Sequence, residues 1–498
     1  NFSYIQHPKT LKIMRLTLSL VIGCITTLTT FSQSFTKLID PTVSVRTADW
    51  YALAPVDFDN NYTLDLILAN NGGDAFFLHT DSMDFSFDNN ENFVSQTGAA
   101  TGSFWADIDN DCDLDVIWPS RTNAGSYIYE NNGDGSFSRI TNSSLATDAL
   151  YANSAAWGDY DNDGDIDLFV ARASSSGLTN YLYHNTGNFT FDRIDTGVTA
   201  QTAAISPGAA WVDFDNDNDL DLYVTNRNGV NNEFYINNGN GGFTKDTASI
   251  IVLDGGNSSS CSWGDYDNDG LQDLYVTNVA GEKNNLYKNN GDGTFTKILT
   301  GAIVNDQFNC HSSLWADFDN DGYLDMFVGH NSNIWAKNNL LYMNNGNGSF
   351  SKITTGPQYT DLLETFGVTS ADINEDGFVD ILTPNRYNGP ISIYLNNGNS
   401  NGYLHLNLLG NTSNSSAIGA RVVTKSALGT QTRAITQQTG FNHQDDMSIK
   451  MGFETDTIID SLTIFWPGGS TCIFTNINPE GFYNIKEGAC LMDTVTET

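Results

Sequence analysis

Basic residues are scarce. The chain of 498 residues carries 22 Lys and Arg against 59 Asp and Glu, a formal charge of −37. A field of that sign repels phosphate backbones, which excludes a nucleic-acid partner and favours cations. Proline is rare too, at 10 against 45 glycines, and without a triplet period this excludes collagen. The 12% aromatic content excludes general disorder. Past the first 33 residues no apolar run is long enough to span a bilayer, so the mature chain is expected to have no transmembrane segment. The seven histidines are scattered, no two at metal-ligand spacing, and each reads as a surface or packing residue; His311 could line one end of a ring. No HExxH, GxSxG, phosphate loop or dinucleotide fingerprint occurs in a suitable context, which leaves no catalytic constellation.

Residues 1–33 read as a secretory signal region. Lys9, Lys12 and Arg15 form a basic start, Leu16 to Leu28 a largely apolar core, and Ser32 and Gln33 a polar end. Translation from Met14 would make residues 1–13 an upstream read-through. Val21-Ile22-Gly23-Cys24 resembles a lipobox, which would acylate Cys24. Removing the region takes away three positive charges and no negative one, leaving about −40. Five further cysteines remain, and an exported protein can pair them. Cys472 with Cys490 is the preferred pair and Cys261 with Cys310 the second, which leaves Cys112 over.

What is abundant is aspartate in a repeated loop. One pattern recurs from Asp57, Asp107, Asp159, Asp213, Asp265, Asp317 and Asp372, at steps of 50, 52, 54, 52, 52 and 55 residues. A hard cation such as calcium takes six to eight oxygens at about 2.3–2.6 Å. Acids at loop positions 1, 3, 5 and 9, with a carbonyl at 7 and glycine at 6 for the turn, supply such a shell. The third loop offers Asp159, Asp161, Asp163 and Asp167; the fifth Asp265, Asp267, Asp269 and Asp273; the sixth Asp317, Asp319, Asp321 and Asp325. The fourth offers Asp213, Asp215, Asp217 and Asp221, with Asn218 at the turn. Three loops depart and are expected to bind more weakly. The second has Asp107, Asp109, Asp111 and Asp115 but Cys112 at the turn. The first has Asp57, Asp59, Asn61 and Asp65 with Tyr62 at the turn, and the seventh Asp372, Asn374, Asp376 and Asp380. The expected cofactor is therefore calcium, up to seven ions. Without a cation, four carboxylates within nine residues would repel strongly. EF-hands are excluded, because apolar β-type runs such as IDLFVAR and LDLYVTN follow the loops where an exiting helix is needed.

Each unit also carries Trp105, Trp157, Trp211, Trp263 or Trp315 two residues before its first aspartate, with Pro55 and Ser370 in the outer units. A second strand and an Asn-Asn-Gly hairpin follow, as in LYKNNGDGTFTKI. Four short strands per repeat make a propeller blade. The expected fold is all-β: a seven-bladed propeller over residues 34–400 with tryptophans between blades. The last unit lacks its final strand, and Ser34-Phe35-Thr36-Lys37-Leu38 is expected to supply it. Short β-like runs after residue 401 predict a small β-sandwich over 401–490 and a flexible tail over 491–498.

The WxD loops and NNGdGtF hairpins resemble FG-GAP/VCBS repeats, as in the integrin α-chain propeller. Ile418-Gly419-Ala420-Arg421-Val422, Thr439-Gly440-Phe441, Met451-Gly452-Phe453 and the run from Asp460 to Gly469 resemble the ASPIC/UnbV domain. The combination is similar to the cartilage acidic protein family and its bacterial relatives. The resemblance implies a secreted, calcium-binding propeller with adhesion- or interaction-type roles. Met451-Gly452-Phe453 departs from the family's usual Phe-Gly-Leu-Gly. The expected function is a non-enzymatic extracellular module whose partner is a protein or polysaccharide. A polysaccharide-active lyase or hydrolase and a purely structural envelope or matrix role are the alternatives. The sequons at Asn142 and Asn188 matter only where the source glycosylates.

Overall fold

Every repeat folds into one antiparallel sheet of four strands, because the apolar run after each loop pairs both with the strand before it and with the hairpin after it. The computed structural model describes residues 33–43, 47–70, 75–78, 83, 85–88, 100, 102–173, 177–200, 203–331, 338–436, 441, 443–490 and 492–494. The signal-like region with Cys24, and residues 495–498, lie outside them. Blade 3 shows the pattern, with strands Ala152–Gly158, Asp167–Arg172, Tyr181–Asn185 and Phe191–Ile194 in spatial order. Its first two strands are buried at every residue, since a blade is covered by a neighbour on each face. Blades 1, 2, 4, 5 and 6 repeat this order over residues 50–88, 104–140, 208–246, 258–297 and 310–353.

Blade 7 takes three strands from residues 369–396 and its outermost one from Phe35–Lys37, which pairs antiparallel with Ser392–Asn396 in the register Phe35 to Asn396. The segment expected to close the last sheet is therefore the one that does so. A further pair, Thr47–Ala48 with Gly389–Pro390, ties blade 1 to blade 7.

The core is divided among the seams between blades. Tyr160, Trp211 and Tyr235 fill the seam of blades 3 and 4, and Phe214, Trp263 and Phe295 that of blades 4 and 5. Trp50, Leu53, Ile391 and Ile393 close the ring between blades 1 and 7. The tryptophans sit where the sequence placed them: Trp211 stacks on Tyr160 and Trp315 on Tyr266, each on a ring of the preceding blade. Gly158 makes room for this, because a Cβ there would stand 2.6 Å from the Trp211 ring.

The C-terminal segment forms two more four-stranded sheets, one centred on Tyr403–Leu409 and Glu480–Lys486, the other on Arg421–Ser426 and Ile459–Phe465. Leu404, Val422, Ile464 and Trp466 pack between them, in one cluster with Trp157 and Phe104 of blades 2 and 3. Cys472 and Cys490 form the expected disulfide. The second expected pair does not form: Cys261 and Cys310 are buried free thiols in the inner strands of adjacent blades, each packed into a different seam. Cys112 is free and exposed.

The connection between strands Gly429–Ala434 and Ile449–Gly452 carries Phe441, His443, Gln444 and Asp445. Its described residues enter the centre of the ring. Gln444 bonds both the amide and the carbonyl of Trp105 in blade 2, Asp445 accepts from Thr369 and Ser370 of blade 7, and His443 bonds Ser312 of blade 6. Phe441, only 2% exposed, lies beyond them against Phe366 and His311.

Phe35 is 5% exposed and rests edge-on against Phe318 of blade 6. Phe35→Ala is expected to lower stability by about 3 kcal/mol through the cavity left behind. A guanidinium-chloride unfolding curve checks this, and an unshifted midpoint would show that the closing strand contributes little.

Candidate metal centres

The loops lie between the first and second strands of each blade, all on one face of the ring. Their shape is set by the first aspartate. In every loop the amides at positions 5 and 6 donate to its two oxygens, for example Asp163 at 3.1 Å and Gly164 at 3.1 Å to Asp159, and Asp321 at 3.0 Å and Gly322 at 2.8 Å to Asp317. Asp57 and Asp372 do the same in the first and seventh loops. Position 6 adopts a positive φ throughout, 93° at Gly322 and 78° at Cys112. For Cys112, with a side chain, that conformation costs about 1–2 kcal/mol.

The ninth residue opens the second strand and is fully buried. Asp115 accepts from the amides of Ile108 at 2.9 Å and Asn131 at 2.8 Å, and Asp325 from Phe318 at 3.0 Å and Asn344 at 2.7 Å. Positions 1, 3 and 5 or 9 then face one another. Asp107, Asp109 and Asp115 come together, as do Asp159, Asp161 and Asp163, Asp213, Asp215 and Asp217, and Asp265, Asp267 and Asp269, as groups that could hold a metal ion.

Two asparagines that the sequence reading passed over complete the frame. The first Asn of each NNG hairpin, read only as a turn signal, ties its blade to the loop of the preceding one. Asn131 donates to the Phe58 carbonyl at 2.8 Å, Asn289 to Phe214 at 2.8 Å and Asn344 to Tyr266 at 2.7 Å. The loop's fourth residue reaches the other way. Asn110 donates to the Gly164 carbonyl at 3.1 Å, Asn268 to Gly322 at 3.0 Å and Asn320 to Gly377 at 2.9 Å. Both roles were legible in the repetition of these asparagines.

The electrostatics are those of carboxylates withdrawn from water. Burial, with neighbouring carboxylates adding to it, pushes Asp115, Asp221 and Asp273 up to about 9 and Asp167 up to about 8. The same causes raise Asp159 and Asp265 to about 7. The third-position oxygens test the fit to a metal most directly. One Oδ1 each of Asp109, Asp161, Asp267 and Asp319 is buried with no hydrogen-bond partner among the described residues. A buried carboxylate oxygen without a donor is costly, and a hard cation satisfies it. Loops 1 and 7 differ. The third-position Asp59 accepts from the Asn61 amide at 3.3 Å, and the third position of the seventh loop is Asn374, which donates to Asp376 at 3.0 Å.

One position outside the motif distinguishes the loops further. The residue before the hairpin asparagine varies: it is Glu130, His184, Ile236, Lys288, Met343 and Leu395 in blades 2 to 7, and Ile236, Met343 and Leu395 pack with the apolar seams. His184, read as a surface or packing residue, lies 3.4 Å from Asp161 and 3.3 Å from Asp167. The Lys288 ammonium contacts Asp267 and lies 2.9 Å from Asp269.

The C-terminal sheets rest on this face. Ser415 and Ser416 bond Asp107, the Gly452 amide donates to Asp317 at 3.1 Å, and Arg433 donates to the Gly322 carbonyl at 3.1 Å. Burial raises Asp213, Asp265, Asp317 and Asp372, and the charges of Arg421 on Asp213, Arg433 on Asp265 and Asp317, and Lys450 on Asp372 offset part of that rise. Gly452 fits because its missing Cβ would stand 2.2 Å from Asn320 Cα. The Met451-Gly452-Phe453 departure thus falls at a contact between sheet and loop.

Seam-packed four-stranded sheets carrying carboxylate loops define an all-β, propeller-type repeat protein with potential metal sites. The chain belongs to the FG-GAP-like repeat family. That family's profile matches residues 119–170, 160–224, 213–276, 267–328 and 330–383, and the ASPIC and UnbV profile matches 410–491. It is similar to cartilage acidic protein 1 of Mus musculus, at 26% identity over 166 residues, covering 31% of this chain. The chain matches about a quarter of that relative's length. Similar solved structures include an Agrocybe aegerita lectin that recognises non-reducing terminal N-acetylglucosamine, at 18% identity and TM-score 0.42, over 71% of this chain and 91% of the lectin. Virginiamycin B lyase of Staphylococcus aureus has 10% identity and TM-score 0.47, over 73% of this chain and 99% of the lyase. Among the described residues no helix is long and apolar enough to cross a membrane.

A carboxyl raised in the folded state keeps a proton that the unfolded chain releases near 3.8. With divalent ions chelated, folding stability should fall as pH rises from about 4 to about 9. Thermal melts in chelator between about pH 5 and pH 8 check this, and a melting temperature that climbs across the window would contradict it.

Proposed function

We propose that the protein is a secreted calcium-binding propeller that acts as an extracellular interaction or adhesion module without catalytic activity. The observation that carries this reading is the set of buried, unpartnered third-position carboxylate oxygens in loops 2, 3, 5 and 6. Calcium would be held by the four acids of each regular loop, with the first and seventh loops, carrying Asn61 and Asn374, the weakest. The ion supplies positive charge that ends the repulsion among these carboxylates. The chain's own residues do the rest. The first aspartate shapes the loop, the ninth anchors it to the sheet, and the asparagines pass its position to both neighbouring blades. A ring held in this way presents its remaining loops in one conformation, which lowers the entropy cost of docking an extracellular protein or polysaccharide.

Calorimetric titration after exhaustive chelation, read together with the melting temperature, tests the proposal. Uptake of about five to seven calcium ions with a large rise in melting temperature is expected. Negligible uptake would overturn it and return the aspartates to the polysaccharide-active reading.

The fifth loop provides a sharper test. Lys288 places a positive charge against Asp267 and Asp269, where it competes with the ion, although the loop's own sequence is regular. Lys288→Met, the residue type that Met343 supplies in blade 6, is expected to tighten one calcium site by about ten-fold. Unchanged isotherms would show that the lysine leaves the loop when calcium enters.

A further inference from the structure

At the mouth of the ring opposite the loops three arginines come together. Arg121, Arg227 and Arg386 each follow the second strand of their blade, in blades 2, 4 and 7, and so emerge at the end of the sheet away from the aspartates. Tyr51, His311 and Phe366 lie at or just before the start of the inner strands of blades 1, 6 and 7, at the same mouth of the ring. The guanidinium carbons of Arg121 and Arg386 each lie 4.7 Å from the centre of the Tyr51 ring. Arg386 is also 4.8 Å from the Phe366 ring, and Arg227 is 5.7 Å from that of Phe441. The aromatic rings are nearly continuous beneath the charges: Tyr51 to Phe366 is 5.3 Å, Phe366 to Phe441 5.0 Å and His311 to Phe366 4.8 Å.

Three like charges are thus collected over an apolar floor in a chain whose net charge is −37. Among the described residues, no carboxylate forms an ion pair with Arg121 or Arg227, and Arg386 has only Asp49, at 3.3 Å. Burial and the charge of Arg121 push Arg227 down to about 10, and burial followed by Arg227 and Arg386 holds His311 well below its ordinary range. Two buried nitrogens at the mouth, Arg227 Nε and His311 Nδ1, have no hydrogen-bond partner among the described residues. Arg227 uses another of its nitrogens on Ser259 Oγ at 2.9 Å, so its position is fixed while its Nε stays unmatched. A planar cation with an unused donor, beside two further guanidiniums, is matched by an oxyanion that accepts from several N–H groups at once.

We propose that this mouth of the ring is an anion site, which takes a single small oxyanion, a carboxylate or a sulfate, between Arg121, Arg227 and Arg386. The rest of the surface decides the size of the ligand. An extended polyanion would meet the acidic exterior on leaving the mouth and be repelled, whereas one isolated anionic group would not.

The test uses the intact calcium-loaded protein and sodium sulfate or sodium glucuronate as probes, with heparin as the polyanion. Saturable one-to-one binding of at least one small probe is expected, with a rise in melting temperature. In Arg121→Gln that binding should weaken by about ten-fold, one lost charge-assisted contact. Without anion the melting temperature of Arg121→Gln should hold or rise, because a like-charge repulsion is relieved; a purely structural stacking role on Tyr51 would lower it. Crystals of the unaltered protein grown with selenate should show anomalous density at the mouth, a readout that needs no variant. The proposal is overturned by the absence of saturable binding of both small probes, by equal binding in Arg121→Gln, or by heparin binding more tightly at the same arginines.

Discussion

Seven sets of carboxylates that repel one another are held on one face of a ring, and most of the polar architecture exists to hold them. The restraint begins in the backbone. Two amides of each loop close on the first aspartate, and the ninth aspartate is locked by an amide from its own loop and another from the hairpin of its own blade. The hairpin asparagine then bonds the preceding loop, and the fourth-position asparagine the following one. The result is a belt of side-chain hydrogen bonds running around the ring outside the apolar seams. Sheets that pack only through flat faces can slide; these are pinned in register by polar contacts at the end that carries the carboxylate loops.

Much of this was readable in the chain because the repeat states it seven times. The loop spacing, the tryptophans and the hairpin signal each recur, and recurrence separates a structural requirement from chance. The missing seventh strand was legible for the same reason, as an omission from a pattern whose counterpart stood at Phe35–Lys37. What escaped was whatever occurs once. The connection that carries Gln444 and His443 into the ring has no periodicity, and its contacts join residues more than 100 positions apart. His184 and Lys288 escaped because their position varies from blade to blade, so no consensus marked it. The pairing expected of Cys261 and Cys310 failed because the two stand at different heights of their strands, Cys261 in the middle and Cys310 at the start, and pack into different seams.

The C-terminal sheets are more than an appendage. Their core is continuous with the seam of blades 2 and 3, their backbone bonds Asp317, and their few cations face the acidic loops. The charge of the molecule is thereby sorted. Arg421, Arg433 and Lys450 are directed at the carboxylates, while Arg121, Arg227 and Arg386 are gathered at the far mouth. With so few basic residues in the chain, such placement leaves most of the outer surface acidic.

The strand Phe35–Lys37 is made long before Ser392–Asn396, which lies some 360 positions further along the chain. During synthesis the growing molecule is therefore an arc, with a bare sheet edge at its advancing end and an unpaired strand trailing from the other. Nothing local rewards that first strand. It must remain available while six blades stack, and it finds its place only when the seventh hairpin arrives. Closure is consequently a late, long-range event of the slow kind, and the arc that precedes it is the form in which exposed edges invite pairing with another chain. A cell that makes this protein in quantity has to shepherd a molecule whose beginning is finished by its end.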